Sequence, residues 1–202
     1  MYPNKEINPN GVNQFNMLIV GTGGQGQITL LQVLAEAALI ENLDFKSSEL
    51  HGLSQRGGSV EVHIRFGKKI YSPMVSAGKA DLILGLEMQE GLRAADFAGP
   101  KTKFLINKYI VPLSLQKNLV EEEIFNQLKK IGKNLFLVPA DEICQKELGT
   151  NVVAGIYLIS FAAFKKLMPI KPDSILKAIK KIIPEKYLEL NLKAFNLALK
   201  NQ

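Results

Sequence analysis

Two short stretches carry the residue types and spacings that could do chemistry. In the first, an apolar run from Met17 to Val20 stops at Gly21-Thr22-Gly23-Gly24-Gln25-Gly26, and a dense apolar pattern resumes at Ile28. This order reads as strand, glycine turn, helix. Glycines accept positive φ and let the backbone approach a ligand, and the opening turn of a helix offers unpaired N–H groups at its positive dipole end. An anion, most often a phosphate, can sit there. The second stretch is Glu49-Leu50-His51-Gly52-Leu53-Ser54-Gln55-Arg56-Gly57-Gly58-Ser59. Its arginine lies between a glutamine and two glycines, where a guanidinium could bind a phosphate or carboxylate bidentately. An ion pair with a carboxylate of this chain or of a neighbouring subunit would use Arg56 equally well. The two stretches are expected to form one site.

Gly21, Gly23 and Gly26 satisfy the G-x-G-x-x-G spacing, and the position after them decides between nucleotide chemistries. A P-loop needs lysine and then serine or threonine there, whereas the chain has Gln27 and Ile28. A P-loop is therefore excluded. A dinucleotide site would add an acid at the end of the second strand for the ribose hydroxyls, and Glu49 is placed to serve. The glycines could also be needed only for close packing of helix on strand.

Elsewhere the chain offers little catalytic machinery. His51 has no second candidate at a fixed spacing, so a hydrogen-bonded structural role is expected, and His63 falls on the polar face of a strand, exposed or at an interface. No nucleophile–base pair, paired carboxylates or metal-ligand cluster can be read from the spacing. Cys144 is the only cysteine, which excludes an intrachain disulfide and an iron–sulfur cluster held by this chain alone.

The elements that must position the two loops follow from periodicity. Residues 1–15 are polar, contain Pro3, Pro9 and Gly11, and read as a flexible leader before a domain spanning 16–202. A helix is expected from Gln27 to Ile40, a strand at Asp44 to Ser48, and a strand from Ser59 whose Val60, Val62, Ile64 and Phe66 face the core. Gly67-Lys68 then reads as a turn into Ile70 to Val75, forming a hairpin. Asp81 to Glu87 looks like a buried central strand, followed by a helix from Met88 to Phe97 that Gly99-Pro100 ends. Strands at Lys103 to Asn107 and Asn134 to Val138 flank a helix at Glu121 to Ile131. A short helix from Asp141 to Leu148, capped by Asp141 and stopped by Gly149, precedes helices at Asn151 to Met168, Pro172 to Ile183 and Pro184 to Lys200. The fold class is α/β: a Rossmann-like, doubly wound, mostly parallel sheet with an antiparallel hairpin and a C-terminal helical tail.

Composition agrees with a folded domain, with 47% hydrophobic and 22% charged residues. The net charge of +6 is concentrated in residues 165–202, where nine lysines face Asp173, Glu185 and Glu189. A lysine-rich helix face is more often solvated than a binding surface, and no aromatic-interleaved basic tract supports nucleic-acid binding. The start of the chain lacks the apolar core of a signal peptide and no run is long enough to span a membrane, so a cytoplasmic protein without membrane contact is expected.

GTGGQGQITLLQVLAEAA, SELHGLSQRGGSVEVHIRFGKKIYSP and ADLILGLE, in that order, resemble the gamma-type domain of 2-oxoacid:ferredoxin oxidoreductases. The likeness continues through Asn151-Val152-Val153-Ala154-Gly155 and the closing Asn191…Ala194-Phe195, so it covers nearly the whole chain after Phe15. Histidine–glycine ahead of glutamine–arginine–glycine–glycine is closest to the indolepyruvate branch. Met88 departs from the proline expected after Gly85-Leu86-Glu87, and Asn196-Leu197 stand where a glycine often follows Ala-Phe. The resemblance implies a small subunit of an enzyme that decarboxylates an aryl 2-oxoacid, passes electrons to ferredoxin and releases an aryl-acetyl-CoA. Thiamine diphosphate and iron–sulfur clusters would be carried by a larger alpha subunit, in a hetero-oligomer of two copies of each, with CoA as co-substrate. Gly21, Gly23, Gly24, Gln25 and Gly26 with Ser54, Gln55, Arg56, Gly57 and Gly58 would then form an anion site at the subunit interface, for CoA phosphates or as a wall of the thiamine pocket. A freestanding NAD(P)- or FAD-binding oxidoreductase, the small subunit of a related pyruvate or 2-oxoacid enzyme, and a purely structural interaction subunit are the alternatives.

Overall fold

The computed structural model describes residues 13–52, 58–111, 121–131 and 134–201. Its six strands are β1 (Gln14–Thr22), β2 (Asp44–His51), β3 (Ser59–Gly67), β4 (Ala80–Gly85), β5 (Ala98–Asn107) and β6 (Asn134–Val138). They lie in the order β2-β3-β1-β4-β5-β6, with β1, β4, β5 and β6 parallel and β3 antiparallel to both β1 and β2. The helices are α1 (Gln27–Ile40), α2 (Met88–Arg93), α3 (Glu121–Ile131), α4 (Ala140–Leu148), α5 (Ala154–Phe164), α6 (Pro172–Ile182) and α7 (Glu185–Lys200).

Both faces of the central strands are covered, which is why those strands read as unbroken apolar runs. Met17, Ile19, Leu82 and Leu84 point into the larger core, beneath α1 and α4 to α7. Leu18, Val20, Ile83 and Phe104 point the other way, into a smaller core under α2 and α3. Successive residues of one strand thus feed opposite layers. The C-terminal helices complete the larger layer: residues 156–163 of α5 are all buried, α7 packs on α5 and α6 packs on α1.

Three expectations are corrected. The hairpin from Gly67 into Ile70 to Val75 does not form, because β3 already pairs with β1 along one edge and β2 along the other, leaving no free edge. The antiparallel pairing runs from β2 to β3 instead. Residues 68–79 return without strand structure across the face of β3 and bury its polar side. His63 is consequently fully buried, with Nδ1 accepting from the Val75 amide (3.0 Å), Nε2 2.6 Å from Glu61 Oε1, and the Phe97 ring edge-on to it. Arg65 holds the same segment by donating to the carbonyls of Ser72 (2.8 Å) and Met74 (3.3 Å). Finally, Gly99 and Pro100 do not end a helix: α2 closes at Arg93, one 3₁₀ turn spans Ala94–Phe97, and β5 begins at Ala98.

The start of order also shifts. Gln14 and Phe15, placed in the leader by composition, belong to β1, where Phe15 stacks on Phe66 with ring centroids 5.2 Å apart. Residues 1–12 lie outside the described part.

Candidate functional site

The carboxyl ends of the parallel strands converge on one cleft of about 390 Å³, the place where open α/β sheets deliver their loops. Gly23 to Gly26 after β1 form one wall. Leu86 after β4 and Asn107 ending β5 form the floor, and Tyr109, Asp141, Asn151 and Val152 close the far side.

The glycine turn is held by its own glutamines. Gln25 Oε1 accepts from the Thr22 amide (2.8 Å), its Nε2 donates to the Leu86 carbonyl (3.3 Å), and Gln27 Nε2 donates to the Thr22 carbonyl (2.8 Å). Gln27 therefore uses the P-loop lysine position, at 4% exposure, to brace the turn rather than to reach a ligand. A Cβ on Gly21 would come within 2.5 Å of Gln25 Oε1 and 2.9 Å of Gln27 Nε2, so a side chain there would have to displace the ends of both glutamines that brace the turn. Gly24 and Gly26 have φ of 103° and 80°, the left-handed region that L side chains rarely adopt. Gly26 is the N-cap of α1 and supplies no capping side chain, and no acid stands in the helix's first turn. Among the described residues no side chain caps α1, so its opening amides could receive a group in the cleft.

The two loops meet. The Gly23 amide donates to the Gly58 carbonyl (2.8 Å), and Ser59 Oγ donates to Glu90 Oε2 (2.5 Å), tying the end of the second loop to α2. Glu90 also accepts from Arg93. Ser54, Gln55, Arg56 and Gly57 lie outside the described residues, so of the second-loop candidates Gly58 alone is placed, and it touches the glycine turn. Gly23 spends its amide on this contact and Gln25 donates its own to the Thr22 carbonyl (3.3 Å), so within the turn the Gly24 and Gly26 amides are the ones that could receive an anion.

On the far side a polar network replaces the cap expected at Asp141. Asn107, 2% exposed, donates to the Leu86 carbonyl (3.1 Å) and to Asp141 Oδ1 (2.5 Å), while its Oδ1 accepts from the Ala140 amide (3.0 Å). Asn107 therefore caps the first amide of α4. The Asp141 carboxylate instead accepts from Asn107 and, at 2.8 Å, from Asn151 Nδ2. Asn151 itself lies ahead of the following helix, since α5 starts at Ala154 rather than at Asn151. Sequence reasoning had no site role for Asn107 or Asp141. Their positions at and just past the ends of β5 and β6 were the available signal.

Two further carboxylates behave differently. Glu87, 1% exposed, caps α2 by accepting from the amides of Gln89 (3.0 Å) and Glu90, and burial pushes its carboxyl above the ordinary glutamate value. Glu49 lies on the outermost strand β2, separated from β1 by β3, and pairs with His51 Nε2 at 3.2 Å. It is not the acid beside the glycine turn, and the dinucleotide expectation loses that support. Cys144 is fully buried in α4, and burial pushes its thiol up to about 12, so it carries no thiolate near neutrality. Among the described residues no group of three or more His, Cys, Asp or Glu could hold a metal ion, and no helix is long and apolar enough to cross a membrane.

The sequence model for pyruvate ferredoxin/flavodoxin oxidoreductase matches residues 16–201. The chain belongs to this family. Among its relatives, the indolepyruvate oxidoreductase subunit IorB of Archaeoglobus fulgidus is 35% identical, over 91% of this chain and 93% of that one. The IorB subunit of Thermococcus kodakarensis is 31% identical over 94% and 96%. Among solved structures, the keto/oxoacid ferredoxin oxidoreductase gamma subunit of Geobacter sulfurreducens superposes with a TM-score of 0.67 at 20% identity, covering 92% of this chain and 96% of that one. The 2-oxoglutarate:ferredoxin oxidoreductase of Magnetococcus marinus, solved with 2-oxoglutarate, coenzyme A and succinyl-CoA, gives 0.69 at 17% identity, covering 93% of this chain and 31% of that one. The chain is thus an oxidoreductase-family member, homologous to subunits of multi-subunit 2-oxoacid enzymes, and it has their α/β fold.

Proposed function

We propose that this chain is the small subunit of an indolepyruvate:ferredoxin oxidoreductase, an enzyme that decarboxylates aryl 2-oxoacids oxidatively to aryl-acetyl-CoA. The observation that carries the reading is the cleft: an uncapped helix opening at the carboxyl ends of parallel strands, joined by hydrogen bond to the second glycine loop. The names of the IorB relatives and the coenzyme A in the Magnetococcus structure support the substrate and co-substrate.

The residues of this chain bind and orient. The backbone amides of Gly24, Gly26 and the first turn of α1 receive a CoA phosphate, and Arg56 supplies the charge that those dipoles only approximate. Leu86, Tyr109 and Val152 line the rest of the cleft and exclude water from the bound tail. The larger subunit carries thiamine diphosphate, which supplies the carbanion chemistry, and the iron–sulfur clusters that pass electrons to ferredoxin. One buried cysteine cannot hold such clusters here.

In the assembled enzyme, Arg56→Ala is expected to raise the half-saturating CoA concentration about tenfold, the loss of one charge-assisted contact. Unchanged CoA and oxoacid kinetics would remove the ligand role of Arg56. Saturable NAD(P) binding by the chain alone would favour the freestanding oxidoreductase instead.

A further inference from the structure

A carboxylate lining a cleft that should receive a phosphate is an apparent contradiction. Asp141 is in that position. Its two oxygens are fixed by Asn107 Nδ2 at 2.5 Å and Asn151 Nδ2 at 2.8 Å, both from residues that line the same cleft. Among the described residues no lysine or arginine pairs with it. Each carboxylate oxygen can accept more than one hydrogen, so both keep acceptor capacity toward the open side. Two neutral amides aim the group without cancelling its charge. A bare polyanion filling the cleft would meet that charge at short range, whereas a ligand offering an O–H or N–H would gain a charge-assisted hydrogen bond.

We propose that Asp141 reads the ligand beside its phosphate, accepting a hydrogen from a hydroxyl or amide of the group that the phosphate carries. Asp141 is thereby a specificity-determining residue: the cleft takes a donor-bearing phosphate ester and disfavours pyrophosphate alone. Asn107 and Asn151 position its carboxylate. This inference rests on the phosphate reading of the glycine turn, and adds the chemistry of the opposite wall. The donor can come from a ribose hydroxyl or from the hydroxyl and amides of a pantetheine arm.

The test measures equilibrium binding to the enzyme assembled from this full chain and its large subunit, with CoA, ADP, phosphopantetheine and inorganic pyrophosphate as probes. Asp141→Asn keeps the size of the side chain and removes its charge. The expected result is a change of opposite sign: CoA weakens about tenfold as the charge-assisted bond is lost, and pyrophosphate tightens a few-fold as the repulsion goes. Weakening confined to ADP assigns the donor to ribose, and weakening confined to phosphopantetheine assigns it to the arm. If CoA and pyrophosphate weaken together, Asp141 is a structural residue and the proposal is overturned; if neither moves, it is overturned as well. Should the variant not fold, wild-type protein decides: ADP or phosphopantetheine must bind several-fold more tightly than pyrophosphate, and equal affinity overturns the proposal. Failure of the wild-type enzyme to bind any of the four probes would overturn the phosphate reading itself, a separate result.

Discussion

The sheet has a recess at each end, and the two are built in opposite ways. The cleft at the carboxyl end owes its shape to backbone: glycines whose added Cβ would be strained or clash, helix amides, and side-chain amides that brace carbonyls. At the amino end, a groove of about 560 Å³ between β1 and the α5–α6 connection owes its shape to side chains, chiefly Phe15, Phe164, Leu167 and Met168, with Lys103, Lys166 and Lys171 at its margin. Parallel strands all present the same end to their outgoing loops, so the glycine turn, Asn107 and Asp141 gather at the carboxyl end. A recess made of backbone fails when atoms are added. One made of rings fails when atoms are removed.

Gly21→Ala should have the largest effect. The new Cβ forces Gln25 and Gln27 off Thr22, costing about 2–3 kcal/mol through two broken hydrogen bonds, and CoA affinity should fall at least tenfold because the turn loses its braces. Denaturant titration and equilibrium binding read the two losses, and a variant with both properties intact would show that the glycine turn is not the shaping element.

Phe164→Ala should come next and should separate the two ends. This half-buried ring sits 5.1 Å from that of Phe195, and its removal should cost about 2 kcal/mol of stability. CoA binding at the other end should stay within about twofold. A matching loss of CoA affinity would mean that the two recesses are mechanically coupled.

The smallest effect should be the pH response of Glu87, which stands just behind the cleft. Burial raises its carboxyl, so the native state keeps a proton that the unfolded chain has already released. The unfolded state then binds fewer protons, and this contribution to stability is lost as pH rises from the ordinary glutamate range through the native value. Glu87→Gln should flatten the stability curve over that window by about 1 kcal/mol or less; an unchanged slope would show that Glu87 ionises normally.

Much of this was written locally. The boundaries of α1 and β6 follow from apolar runs between glycine and polar breaks, and Gly149 ends α4 with φ of 76° as a left-handed cap should. Cleft residues Gly23 to Gly26 were legible because glycine spacing is a backbone requirement. Asn107 and Asp141 were not, because a polar residue at a strand end has many uses until its partners are known. His63 was misread because alternation reports which face a residue takes, not what later covers that face.

The sequence alone determined the strand, glycine turn and helix, the exclusion of a P-loop and the resemblance that the family match bears out. These depend on spacing within a few residues, or on order along the chain. Only the tertiary structure decided that β3 lies antiparallel beside β1, which buried His63 and moved Glu49 to the far edge. It alone brought Asp141 to Asn107, from the next strand over, and set that carboxylate across the cleft from Gly24 and Gly26. Strand edges and buried polar groups are satisfied by whatever the fold brings near them, and no local pattern specifies that partner.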